Sequence, residues 1–98
     1  MVFDCVENEK SITVKPFGRL DSTTSDEFSE FVSQHFTEEF ESLVIDFGEV
    51  DFISSKGLRV LVSIYKQLNG RSMKLTGANA SVMEILRISG LLRIFDVS

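Results

Sequence analysis

The alternation of hydrophobic and polar residues predicts two strands at the start of the chain. Residues 2–6 are rich in β-forming side chains, and in the segment 11–17 Ile12 and Val14 alternate with polar neighbours at the period of two that marks a half-buried strand. The polar residues 7–10 separate the two segments. This arrangement predicts an antiparallel hairpin.

Apolar residues spaced three and four positions apart predict three helices. Thr24 and Glu27 have the spacing of a capping box at the start of the first helix. Its apolar stripe consists of Phe28, Phe31, Val32 and Phe36. The second helix is predicted over about residues 55–69, and the Asn69-Gly70 pair marks its C-terminal end. The third is capped by Asn79 and continues through Ser89.

The segments between the helices predict the rest of a sheet. Residues 43–47 are apolar without alternation, which predicts a central strand covered on both faces. Met73 and Leu75 alternate with polar neighbours as in another strand, and residues 91–95 form a terminal apolar segment. The order β-β-α-β-α-β-α predicts an α/β fold. Its mixed sheet begins with an antiparallel hairpin, continues with parallel βα units and has helices packed against it.

The composition predicts one domain spanning residues 1–98. With 43% hydrophobic and 26% charged residues, the chain is typical of a soluble globular protein. Its one cysteine, Cys5, cannot form an internal disulfide, which favours a reducing compartment. The N-terminus carries acidic residues where a secretory signal carries basic ones, and no apolar run approaches the ~18 residues of a membrane span. We expect a cytoplasmic protein without membrane insertion.

The two halves of the chain carry opposite charge. Residues 1–51 hold 13 acidic and 3 basic side chains, whereas residues 52–98 hold 2 acidic and 7 basic ones. The net charge of −5 disfavours direct nucleic-acid binding, because that binding requires clustered Lys and Arg to neutralise phosphates. The basic half nevertheless offers a positive surface to one partner.

The side chains that enzymes use for catalysis are scarce. His35 is the only histidine and lies beside Phe36 on the predicted first helix, which favours a structural or surface role. The sequence has no cluster with the spacing of metal ligands, and Cys5 lies among apolar neighbours, as a buried thiol does. Glycine motifs for phosphate or dinucleotide binding do not occur. We expect a non-enzymatic protein with no catalytic residue, metal or cofactor.

One polar turn, residues 54–58, supports both a structural and a functional interpretation. A serine there caps the second helix by accepting hydrogen bonds from first-turn amides, and one hydroxyl suffices. The second hydroxyl precedes Gly57, which has no side chain to block approach, at a helix N-terminus on the crevice side of an α/β sheet. A phosphoryl group is electrostatically favourable at such a position. Both interpretations remain open on the pattern alone.

Three segments resemble the successive motifs of the STAS domain, the fold of bacterial anti-sigma factor antagonists. They are residues 18–21 (Gly-Arg-Leu-Asp), residues 43–47 (Leu-Val-Ile-Asp-Phe) and residues 50–61, which include Ser-Ser-Lys-Gly. The resemblance covers nearly the whole chain in the right order. It implies a mixed sheet with packed helices and a regulatory serine at the start of the second helix, which maps onto Ser55.

The same resemblance implies a switch in transcription regulation. In this family an ATP-dependent serine kinase, which is also the anti-sigma factor, phosphorylates the regulatory serine, and a metal-dependent serine phosphatase reverses the modification. The unphosphorylated protein binds the anti-sigma factor and frees the sigma factor. We expect phosphorylation at Ser55, with Ser54 as second choice. The expected partner-binding residues are Asp21, Ser54, Ser55, Lys56, Gly57 and Arg59. Lys56 and Arg59 would also stabilise the phosphate.

The motifs depart from the family's Asp-Ser-Ser-Gly pattern at two positions. Ser54 replaces the aspartate, which is common in the family, and Lys56 replaces the second serine, a change that alters kinase recognition or compensates the phosphate. Asp21 and Asp46 match motif acids, and each has a structural alternative. The first would cap the first helix, and the second would anchor a turn through backbone hydrogen bonds.

Two other functions are compatible with the sequence. A constitutive STAS docking subunit of a transporter or another multiprotein complex would use the basic stripe Lys56, Arg59 and Lys66 as its contact face and Ser55 only as a cap. Nucleotide binding in the crevice near Ser55 and Lys56 is the third hypothesis.

Overall fold

The computed structural model describes residues 1–97, which form six strands, three α-helices and one 3₁₀ turn. The strands are β1 (Val2–Glu7), β2 (Ser11–Leu20), β3 (Ser42–Asp46), β4 (Val50–Ile53), β5 (Ser72–Thr76) and β6 (Asp96–Val97). The helices are α1 (Thr24–His35), α2 (Ser55–Lys66) and α3 (Ala80–Ile88), with a 3₁₀ turn at Leu91–Arg93.

The sheet is mixed, as the sequence predicts. Its strand order is β1-β2-β3-β5-β6, with β3 at the centre. Strand β1 pairs antiparallel with β2, and the β2–β3, β3–β5 and β5–β6 pairs are parallel. The predicted α/β class, the initial hairpin and the parallel βα units are therefore confirmed.

One face of the sheet carries the core, which corrects the prediction for residues 43–47. Leu43, Ile45 and Phe47 are fully buried, whereas Val44 between them is only half-buried. The same alternation occurs in β2 and β5. Both faces of β3 were predicted to be covered, but its second face stays partly open, where a β-branched valine is well tolerated.

Two short strands and the extension of β2 are absent from the sequence prediction. Gly18 adopts φ +98°, and the pairing register shifts between Gly18 and Arg19. This irregularity lets the end of β2 leave β3 and pair in parallel with β4, with Leu20 opposite Ile53. The bend carries residues 18–21 to the start of α2.

The helix ends follow local turn chemistry. Helix α2 ends at Lys66, three residues earlier than predicted, because Asn69 (φ 52°) and Gly70 (φ 87°) form a separate left-handed turn. Helix α3 is capped as predicted, since Asn79 Oδ1 accepts a hydrogen bond from the Val82 amide at 2.8 Å.

Candidate functional site

The two adjacent serines at the start of α2 have different roles. Ser54 is the N-cap residue, and its Oγ accepts a hydrogen bond from the Gly57 amide at 3.1 Å. Ser55 is the first residue of the helix and is exposed to solvent. Because Ser54 supplies the cap, the Ser55 hydroxyl is available for other chemistry.

Gly57 has a packing role that differs from the predicted one. The residue is buried, and a Cβ added to it would lie 2.7 Å from Ile53 Cγ1 and 3.0 Å from the Leu20 carbonyl oxygen. The side-chain oxygen of Ser25 would be 3.3 Å away. The glycine therefore allows the first turn of α2 to pack against the end of β2 and against α1, rather than keeping a surface open for approach.

Asp21 organises the start of α1. Its Oδ1 accepts hydrogen bonds from the amides of Thr23 and Thr24, each at 3.0 Å. These two amides, that of Thr24 first, lower the pKa of the Asp21 carboxyl. The predicted Thr24–Glu27 capping box is wrong, because Thr23 is the N-cap residue and the Thr24 hydroxyl instead donates to the Arg19 carbonyl at 2.5 Å.

The start of α2 and the start of α1 lie side by side. The Ser54 amide donates to the Leu20 carbonyl at 2.8 Å, and Lys56 Nζ contacts Asp26 Oδ2 at 2.7 Å. The structure thus brings residues 18–21 together with residues 54–57, as the predicted site requires. It also shows that the Lys56 ammonium is paired with a carboxylate of α1.

Arg59 lies one turn after Ser55 on the same side of α2. Residues at i and i+4 have Cβ atoms about 5–6 Å apart, so the guanidinium is within reach of a group attached to Ser55. Arg59 is exposed. Both residues line a groove of about 550 Å³ between α2 and the end of α3, together with Leu58, Val62 and Leu91.

The groove was missed from the sequence, although α2 carried a signal for it. The predicted apolar arc of α2 was broad, and only its central part, including Leu61 and Ile64, is buried. Leu58 and Val62 on one flank remain half-buried. An apolar arc wider than one sheet contact requires is a sign of a second packing surface.

Of the remaining candidates, Asp46 and His35 have structural partners, and Cys5 has a thiol of low reactivity. Asp46 Oδ1 accepts a hydrogen bond from the Gly48 amide at 2.8 Å, so it anchors its turn. His35 Nδ1 lies 2.8 Å from the Phe31 carbonyl oxygen, and its ring stacks on that of Phe31. Burial, with the nearby Glu7 charge, raises the pKa of the Cys5 thiol, which leaves little thiolate for reaction.

A family model of the STAS domain matches residues 3–98. The chain belongs to the STAS domain family. Among described residues 1–97, no helix has the length and apolar character that a membrane crossing requires. The same residues contain no group of three or more His, Cys, Asp and Glu side chains arranged to hold a metal ion.

Individual STAS relatives share sequence or fold with this chain. BtrV of Bordetella bronchiseptica, described as an anti-sigma factor antagonist, is 41% identical over 58 residues, which cover 57% of this chain and 50% of BtrV. The match thus spans half of that relative's length. The unphosphorylated anti-sigma factor antagonist SpoIIAA has a TM-score of 0.83 at 17% identity, covering 99% of this chain and 88% of SpoIIAA. The STAS domain of a Vibrio cholerae SulP transporter has a TM-score of 0.69 at 18% identity, and the match covers 94% of this chain and 74% of the transporter domain chain.

Proposed function

We propose that this STAS protein is an anti-sigma factor antagonist whose partner is an anti-sigma factor with ATP-dependent serine kinase activity. The unphosphorylated protein binds that partner and so frees a sigma factor. Phosphorylation of Ser55 ends the binding, and a metal-dependent serine phosphatase restores it. The proposed contact surface consists of Asp21, Ser54, Ser55, Lys56, Gly57 and Arg59, with the buried glycine shaping the surface from below.

The observation that carries this proposal is the separation of the two serine roles. Ser54 holds the cap hydrogen bond, so modification of the exposed Ser55 leaves the helix start intact. The first turn of α2 contains no acidic residue, and a helix N-terminus favours an anion. Phosphate adds about −1.5 to −2 charges at this position, which changes the surface without a need to refold the domain.

The relatives support the same assignment. BtrV is described as an anti-sigma factor antagonist, and so is SpoIIAA, whose structure is known in unphosphorylated and phosphorylated forms. A protein with this fold is therefore known to carry a phosphate group. The TM-scores of this chain against them are 0.83 and 0.74.

The test uses the anti-sigma factor kinase that co-purifies with the tagged chain from its own cells. We expect the wild type and Ser55→Ala to bind it, Ser55→Glu to bind at least about tenfold more weakly, and Lys74→Glu, an exposed position on β5 outside the proposed contact surface, to bind like the wild type. With ATP, mass spectrometry should place the phosphate on Ser55 of the wild type and on neither serine of Ser55→Ala. Wild-type affinity of Ser55→Glu, or co-purification of no such kinase, would contradict the proposal.

A second candidate function is a constitutive docking subunit of a transporter or another complex. The fold similarity to the SulP transporter STAS domain favours it. In that case the basic residues Lys56, Arg59 and Lys66 form the contact face, and Ser55 carries no modification. Co-purification with transporter subunits, together with normal function of Ser55→Ala in cells, would support this alternative over the first.

A further inference from the structure

The groove beside Ser55 is an apolar surface that the described part of the fold leaves uncovered. Leu58 and Val62 on α2 are half-buried and form its apolar floor, and the buried Leu91 in the 3₁₀ turn borders it on the opposite side. Tyr65 of α2 packs edge-on against Phe95, with ring centroids 5.6 Å apart. This contact links α2 to the segment that follows the 3₁₀ turn.

Cations follow the groove along α2. Arg59 and Lys66 line it, and both are exposed. Among residues 1–97 neither side chain forms an ion pair, in contrast to Lys56, which pairs with Asp26. The groove thus presents an apolar floor with unpaired positive charge at its edge, in the half of the chain where basic residues exceed acidic ones.

The dimensions suit a helix better than a small molecule. The lining residues of α2 extend from Ser55 to Lys66, which corresponds to about 16 Å at 1.5 Å per residue, or three helical turns. The groove is open along this length, whereas small-molecule sites bury most of the ligand surface. An apolar floor with a cationic edge complements an amphipathic helix that carries carboxylates beside its apolar face.

We infer that this groove receives an acidic amphipathic helix of the anti-sigma factor kinase, an inference that rests on the proposed function. The apolar face of that helix packs on the half-buried Leu58 and Val62, and its carboxylates pair with Arg59 and Lys66. Ser55 lies at the end of the groove, one turn before Arg59. Phosphoserine at this position pairs with Arg59 within the same chain, because a guanidinium binds phosphate through two parallel hydrogen bonds.

The phosphate therefore acts as an internal competitor of the partner. It occupies the guanidinium that the partner carboxylate needs, and its charge repels the acidic helix from the groove. This mechanism differs from simple steric blocking in one measurable respect. If Arg59 mediates the effect of the phosphate, removal of the guanidinium must reduce that effect.

The experiment measures affinity for the co-purifying anti-sigma factor kinase with charge-reversal variants. We expect Arg59→Glu and Lys66→Glu each to weaken binding about tenfold or more, and Val62→Asp to do the same through the apolar floor. Lys74→Glu is the matched control, because Lys74 is an exposed cation on the sheet, away from the groove lining, and its variant should bind within about twofold of the wild type. Thermal unfolding verifies that each variant is folded, and the exposed Arg59 and Lys66 variants remain informative if Val62→Asp is not.

Two further measurements identify the segment that occupies the groove and test whether phosphoserine competes with it for Arg59. A photo-crosslinking residue at position 62 should capture an acidic amphipathic helix of the kinase, and capture of a basic or non-helical segment would overturn the inference. The loss of affinity caused by phosphorylation of Ser55 should be smaller in the Arg59→Gln background than in the wild type, and an equal loss would overturn the competition.

The outcomes separate this inference from the proposed function. If Arg59→Glu, Lys66→Glu and Val62→Asp all bind like the wild type while Ser55→Glu does not, the groove inference is wrong and the switch at Ser55 stands. If Ser55→Glu itself binds like the wild type, the proposed function fails, and the groove inference fails with it.

Discussion

Replacing Ser54 and Ser55 one at a time tests the division of roles on which the site depends. Ser54→Ala removes the acceptor of the Gly57 amide, a hydrogen bond of 3.1 Å. Loss of a serine cap costs about 0.5–2 kcal/mol. Gly57 is buried, so water replaces the lost partner poorly, and we expect a loss of about 1.5 kcal/mol, in the upper half of that range. Ser55→Ala changes an exposed helical residue and should alter the free energy of unfolding by less than about 0.5 kcal/mol.

Urea and thermal unfolding measure this difference directly. The unfolding entropy of a domain of this size makes 1 kcal/mol equivalent to about 5 °C, so Ser54→Ala should unfold about 7 °C below the wild type. Asn79→Ala is the matched control on α3, because Asn79 caps the buried Val82 amide and also donates to the Val50 carbonyl, and it should lose at least as much stability. The double variant of Ser54 and Ser55 should match Ser54→Ala alone. Equal losses for the two single variants would refute the assignment of Ser54 as the cap.

Three other predictions concern packing and hydrogen bonds within the fold. Gly57→Ala should lose about 1–2 kcal/mol despite the better helix propensity of alanine, because its Cβ would lie 2.7 Å from Ile53 Cγ1; unchanged urea unfolding would contradict this packing. Arg71→Lys should cost about 2 kcal/mol, because the guanidinium donates to three carbonyl oxygens and stacks on Phe36 at 4.1 Å, and a midpoint equal to the wild type would remove this role. The lowered pKa of Asp21 stabilises the fold above its unfolded value of about 3.9, and that stability is lost as pH falls through the lower folded value. Asp21→Asn should therefore show less acid destabilisation as the pH falls below about 4, and an identical pH profile would count against the hydrogen bonds.

Local patterns predicted most of the fold, because the spacing of apolar residues that are close in sequence determines most of its strands and helices. The alternation around Ile12 and Val14 and the cap at Asn79 depend on neighbouring residues only, and both are confirmed. Strand β4 has only four residues, and its pairing with the end of β2 depends on the irregularity after Gly18, which local periodicity does not reveal. The partly open face of β3 likewise depends on where the helices pack.

The sequence predicted where the candidate residues lie in the fold, but not what they contact. The sequence motifs identified the turn at Ser54 and Ser55, yet the pairing of Lys56 with Asp26 joins residues 30 positions apart and leaves no local signal. Gly57 was interpreted from its missing side chain as an open approach, whereas its tertiary neighbours give it a packing role. The side of the groove opposite α2 is formed by the end of α3 and the 3₁₀ turn, which lie far from α2 in sequence. The only local sign of the groove was that the apolar arc of α2 is wider than its contact with the sheet requires.

Site-resolved phosphorylation of the protein isolated from its own cells, both growing and stressed, with phosphatases inhibited, tests directly whether Ser55 is a switch. We expect phosphate on Ser55, with an occupancy that changes between the two conditions, and an unmodified Ser54. A Ser55 that stays unmodified in both conditions, in cells where Ser55→Ala causes no defect, would contradict the switch and favour the constitutive docking subunit.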